Sequence, residues 1–183
     1  HAGSMAANDP GNSAAANALN KMQKPNGYPN VNVNFYTAAV GNYGGQTTVN
    51  YIGQALNSYI KKDGADVGIS MAVEGDSTQF YCAAQVKAAV TNEYKVVAWL
   101  LENKIVNKDQ ANYRGPYDDY IYIYNHAVRQ ISGNYSSANV LGESIGTLEA
   151  GDTFNTAFQL PIVSTKWNTD NMEVIILVSA KNA

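Results

Sequence analysis

Thr78-Gln-Phe-Tyr-Cys-Ala-Ala-Gln-Val-Lys-Ala88 is the stretch that decides the fold. Phe80, Cys82, Ala84 and Val86 alternate with Gln79, Tyr81, Gln85 and Lys87. That is the period-two pattern of a strand with one buried and one wet face. Downstream, Tyr94 to Val106 is apolar at consecutive positions, Val96 through Leu101, as expected of a central strand covered on both sides. The same grammar holds for Val67 to Val73, Asp119 to Ile131, Glu143 to Leu148, the run Phe154, Phe158, Leu160, and Glu173 to Ser179.

The count is therefore about seven strands, the number of an immunoglobulin-like antiparallel β-sandwich. Turn signals separate them: Glu74-Gly-Asp76, Thr91-Asn-Glu93, Ser132-Gly-Asn134, Glu149-Ala-Gly-Asp152 and Asn168-Thr-Asp-Asn171. No fixed-period repeat is visible, which excludes solenoids and propellers.

Upstream the periodicity is helical. Ala14, Ala15, Ala18, Leu19 and Met22 share one side of a predicted helix over Ser13 to Lys24, with Asn12 or Ser13 as N-cap and Pro25 as stop. Asn26-Gly-Tyr-Pro29 reads as a turn, and Val31, Val33 and Phe35 alternate with asparagines as a strand. A second helix fits Thr48 to Lys62, its stripe formed by Val49, Ile52, Leu56, Tyr59 and Ile60, with Thr47 or Thr48 as cap and Gly64 as terminator. The change of period places a domain boundary near Lys62 to Ala65, so the fold class is α+β: a helix-strand-helix segment over 6–64 and a sandwich over 65–183. His1-Ala-Gly-Ser-Met5 reads as a tag remnant, leaving 1–5 outside the fold.

Composition narrows the function classes. The 183 residues are 45% hydrophobic and carry a net charge of -3, with only 12 Lys and Arg. Such a chain can build a core but has no basic stripe for tracking phosphates, so no nucleic-acid partner is expected. The single cysteine excludes an intrachain disulfide and a cysteine-based zinc cage. No apolar run reaches the roughly 20 residues that span a bilayer. Membrane attachment is expected only through a lipid anchor outside these residues.

Candidate chemistry is sparse. His126 has the side chain for acid/base or metal work, but the other histidine is His1, and no nucleophile stands at a telling spacing, so a structural or surface role is the plainer reading. Arg129, three residues on, falls on the opposite face of a regular strand, unless a bulge intervenes. Cys82 sits between apolar neighbours and is expected to be inert packing. Asp63, Asp66, Asp76, Asp118 and Asp119 lack the spacing of a calcium loop, and Glu93, Glu102, Glu143 and Glu149 make no recognisable glycosidase pair. No catalytic residue, metal or cofactor is assigned.

Tyr120, Tyr122 and Tyr124 share one strand face and Ile121 and Ile123 the other. If isoleucine faces the core, a ladder of phenols is left outside for recognition of a protein or a glycan, with His126 and Arg129 beside it. Packing of the ladder beneath the N-terminal helices or against a neighbouring strand is the plainer reading.

Trp99-Leu-Leu-Glu-Asn-Lys-Ile-Val106, then Asp109-Gln110, then Tyr124-Asn-His-Ala-Val-Arg129 resemble the outer membrane protein 28 family, envelope lipoproteins of Bacteroidetes, over Val67 to Ala180. Asn125 to Arg129 matches the second half of that family's two-histidine segment. Tyr124 stands where the pattern has its first histidine, so a two-histidine site is not carried over. The resemblance implies a thioredoxin-like region ahead of the sandwich, with Pro29 in the place of that fold's cis-proline. The first half of such a domain and any Cys-x-x-Cys are absent here, so no redox activity is expected, and the incomplete segment should lean on the sandwich or expose a ragged edge. The resemblance implies a non-enzymatic, lipid-anchored outer-membrane module for protein binding or envelope assembly. The tyrosine face supports carbohydrate binding as an alternative, and His126 a hydrolase or metal enzyme as a third reading.

Overall fold

Tyr94 to Glu102 has apolar side chains on both faces, and the fold is arranged to cover both. The computed structural model describes residues 9–25, 30–35, 37–40, 45–60, 64–107 and 123–181. Every strand pair among them is antiparallel.

A first sheet has the order β10-β4-β3, from β10 (Thr153–Pro161), β4 (Gln79–Ala88) and β3 (Val67–Gly75). A second has β5 (Asn92–Glu102) at its centre, paired on one side with β11 (Met172–Ala180) and on the other, end to end, with β8 (Ala127–Ile131) and β9 (Glu143–Leu148). The two sheets stack. Ala98 and Leu100 of β5 meet Cys82, Leu160 and Val174 between them, and Tyr94 packs with Ala88 and Leu148 at one end. The alternation of β4 is as expected: Cys82, Ala84, Val86 and Ala88 are buried and their neighbours are exposed. Burial pushes the Cys82 thiol pKa up.

The other face of β5, Val97, Trp99 and Leu101, is covered by helix α1 (Ala14–Gln23), making a third layer. Ser13 is the N-cap, its Oγ accepting the Ala16 N–H at 2.9 Å while its hydroxyl donates to the Val128 carbonyl of β8. The helix closes at Lys24, in the left-handed region at φ 45, one residue before the expected proline stop. The apolar side is Ala15, Ala18, Leu19 and Met22, as the spacing predicts.

Expectations change at four elements. The predicted strand through Phe35 is a hairpin, β1 (Asn30–Val33) and β2 (Thr37–Val40), whose turn holds Asn34 and Phe35 at φ 52 and 64. A phenylalanine tolerates that backbone because its ring gains an edge-to-face contact with Trp99, centroids 5.7 Å apart. Helix α2 (Gly45–Tyr59) starts earlier than expected, so Thr47 and Thr48 lie within its first turn. Its stripe is not buried: Val49, Leu56, Tyr59 and Ile60 are exposed and Ala55 alone of its described side chains is buried. The strand expected through Val106 breaks after Glu102 and resumes as β6 (Ile105–Val106). The strand expected over Asp119 to Ile131 likewise breaks, into β7 (Ile123–Tyr124) and β8.

Half of the expected boundary at Lys62 to Ala65, Lys62 and Asp63, lies outside the described residues, as do Pro29, Asp109, Gln110, Asp118 and Asp119. Gly142, at φ 97 before β9, has no room for a side chain: a Cβ there would stand 2.2 Å from the Val96 carbonyl oxygen.

Candidate functional site

Tyr124, His126 and Arg129, the described residues among those singled out by the sequence, lie where β5 and β8 kink together. Pairing runs to Glu102 opposite Ala127 and resumes at Ile105 opposite Tyr124. Between them, Asn103-Lys104 faces Asn125-His126, and each asparagine caps the other strand. Asn103 Oδ1 accepts the His126 N–H at 2.8 Å, and Asn125 Oδ1 accepts the Lys104 N–H at 3.0 Å. These bonds hold Lys104 and His126 at φ 57 and 56, a conformation such side chains adopt only when the surroundings impose it.

The kink sends the two flanking candidates to different environments. His126 is exposed, its Nε2 lying 3.3 Å from Glu173 Oε1 on β11, an ion pair whenever the imidazole is protonated. Arg129 is only 3% exposed and points into the molecule. Its Nε–H donates to Glu102 Oε2 at 2.6 Å, an η nitrogen donates to the Asn12 carbonyl at 3.3 Å, and its guanidinium stacks 5.4 Å from the Trp167 ring centroid. Glu102 Oε1 in turn accepts the Asn168 N–H at 2.9 Å. This knot ties β5, β8, the lead-in to α1 and the loop before β11. Both carboxylate oxygens are occupied, so Arg129 serves as a structural clasp rather than an exposed binding residue.

At Tyr124 the packed alternative holds rather than the exposed ladder. The tyrosine is 9% exposed while Ile123 is 45% exposed, so at this position the phenol is inside and the isoleucine outside. Its hydroxyl accepts from Asn107 Nδ2 at 2.9 Å, and burial raises its pKa. The short β6–β7 ladder buries Ile105 and Tyr124, opposite each other on one face, and leaves Val106 and Ile123 on the wet one. Tyr120 and Tyr122 lie outside the described residues.

Beside the corner, an open cleft of about 540 Å³ separates α1 from β7 and β8. Asn20, Gln23, Asn30, Asn125 and His126 supply its polar lining and Tyr124 part of its floor. Asn30 Oδ1 is buried there without a hydrogen-bond partner among the described residues. Among those residues no cluster of three or more His, Cys, Asp or Glu could hold a metal. Glu102, Asn12, Trp167, Asn103 and Asn125 were not assigned to the site from sequence. The one local signal was the Asn-Lys and Asn-His dipeptides interrupting apolar runs.

A family model described as outer membrane protein Omp28 matches residues 16–183, from α1 through both sheets. The chain belongs to the Omp28 family. No curated protein matches it. Membership associates this Omp28 chain with the outer membrane. Among its described residues no helix is long and apolar enough to cross a membrane. The corner is therefore a feature of an Omp28 fold in which the matched Arg129 is a buried clasp and His126 a surface group at the rim of a polar cleft.

Proposed function

We propose that this Omp28-family chain is a non-enzymatic outer-membrane module, held by a lipid anchor, that binds another envelope protein or takes part in envelope assembly. We also read its sandwich as immunoglobulin-like and residues 6–64 as part of a thioredoxin-like region. The observation that carries the functional reading is the uncovered stripe of α2. Val49, Leu56 and Ile60 stay 61%, 48% and 67% exposed, although fully burying an exposed side chain of this kind gains roughly 1.5–3 kcal/mol, and grouped apolar exposure of this kind marks contact surfaces.

The test places a photo-crosslinking residue at Leu56 or Ile60 in the full-length protein in its native envelope. A defined adduct is expected there, abolished by Val49→Lys on the same helix face and absent from a crosslinker at Val163, an exposed side chain elsewhere. Equal labelling from all three positions, or none from α2, overturns the reading.

The cleft supports a second reading, carbohydrate binding. Its amides and imidazole match the donor and acceptor pattern of hydroxyl groups. Titration calorimetry with neutral oligosaccharides at millimolar concentration, showing no heat that Asn125→Ala removes, would eliminate it.

A further inference from the structure

Strand β3 closes one edge of the first sheet, and its hydrogen-bonding parity decides what that edge offers. The Ala89 N–H donates to the Asp66 carbonyl at 2.8 Å and the Asp76 N–H to the Gln79 carbonyl at 2.9 Å. With the register Val67 opposite Ala88, even-numbered residues of β3 therefore exchange hydrogen bonds with β4. The odd ones, Val67, Ile69, Met71, Val73 and Gly75, turn their N–H and C=O groups away from β4, to a side on which no described strand pairs.

The same residues carry the apolar side chains. They stand opposite Val86, Ala84 and Cys82 and so belong to the inward face, yet Ile69, Met71 and Val73 are 44%, 50% and 42% exposed. Backbone hunger and apolar exposure thus coincide on one edge. The opposite edge differs. By the same parity β10 offers Thr153, Asn155, Ala157, Gln159 and Pro161, mostly polar and ending on a residue with no N–H. Edge strands are normally protected by lysine, proline or an inward charge. β3 has none of these, its one charged residue being Glu74.

We infer that β3 is the seam of a two-fold dimer, pairing antiparallel with β3 of a second copy to join two three-stranded sheets into one of six. Full overlap of the nine residues puts Met71 on the two-fold axis, against its own counterpart, and Ile69 against Val73. Every inward position is then apolar against apolar. On the outer face Ser70 meets Ala72 and Glu74 meets Gly68, so no like charges oppose each other within the ladder. The nearest such pair, Asp66 and Asp76, lies beyond it, where the Asp76 carboxylate is folded back onto its own turn. A second copy fits better than an unrelated peptide because the edge pairs with itself in register, apolar residue against apolar residue, with no like charges opposed within the ladder. The area is small, so the dimer belongs to the weak, concentration-dependent class.

Sedimentation of the full chain from low micromolar to near-millimolar concentration should show reversible dimerisation. Met71→Lys, which sets two ammonium groups together on the axis, should abolish it with unchanged circular dichroism, whereas Val163→Lys should not. Met71→Cys gives an independent readout. Hydrogen-bonded antiparallel partners lie about 5.5 Å apart at Cα, inside the roughly 4.4–6.8 Å range of a disulfide. Oxidation should therefore link two Met71→Cys chains and leave Ala72→Cys chains unlinked. A chain monomeric at every concentration, or a dimer that survives in folded Met71→Lys, overturns the inference.

Discussion

A guanidinium buried as deeply as that of Arg129 has surrendered bulk water, and Glu102, the Asn12 carbonyl and the Trp167 ring are what replace it. The pair's net worth is smaller than its short distance suggests, because desolvating two charges consumes most of the attraction. Breaking it is another matter. Arg129→Ala leaves the Glu102 carboxylate, 5% exposed, without its cation, and should cost about 3–5 kcal/mol in urea denaturation. The double replacement Arg129→Met with Glu102→Leu should recover most of that loss. A small cost for Arg129→Ala would show that the clasp is not closed in solution. The sequence points to Arg129 as a residue of note but not to its role, since Glu102 lies 27 residues away and becomes a neighbour only once β5 and β8 pair. Tyr124 teaches the same limit. Alternation sorts side chains into two faces, and which face is inside is set by Ile105 across the ladder, not by the run itself.

Among the elements, the strands with one wet face and the turns between them are the most legible. Asp76 shows why: it builds its turn locally, its Oδ1 accepting from the Thr78 N–H and hydroxyl at 2.6 Å each and from the Gln79 N–H at 3.0 Å. Those bonds, the Thr78 hydroxyl foremost, lower its pKa below the ordinary 3.8. The folded state thus holds the proton less readily than the unfolded one. The stabilisation is complete above the unfolded value and lost as pH falls through the folded one. Asp76→Ala should be less stable than the parent at neutral pH, and the gap should close on acidification below 3.8, as followed by thermal melts across pH. A gap constant down to strongly acid solution would refute the local origin of the turn. What stays illegible are the Asn34-Phe35 turn and the matched kinks at Lys104 and His126. Phe35, Lys104 and His126 enter the left-handed region there because distant partners, Trp99 or an asparagine on the facing strand, hold them, and no local preference announces it.

For the whole molecule, the two-faced apolar run of β5 foretells cover on both sides, and the structure supplies it from the first sheet and from α1. That α1 joins the sandwich while the α2 stripe stays uncovered is decided by packing that neither helix's own pattern contains. Cys82 reports on the assembled layers. Buried between the sheets with its thiol pKa raised, it should label with a thiol reagent only through opening of the molecule, many orders of magnitude more slowly than in denaturant. Rapid labelling under native conditions would show that the two sheets do not close as described. The position of β5 also sets an order of events. Its partners on one side are residues 127–131 and 143–148, and its partner on the other is 172–180. A chain emerging from its N-terminus must carry the most apolar strand unpaired until the latter arrive, because long-range ladders pay their loop-closure entropy before they gain contacts. The second sheet is therefore completed around β5 only when residues 172–180, its last described strand, are in place.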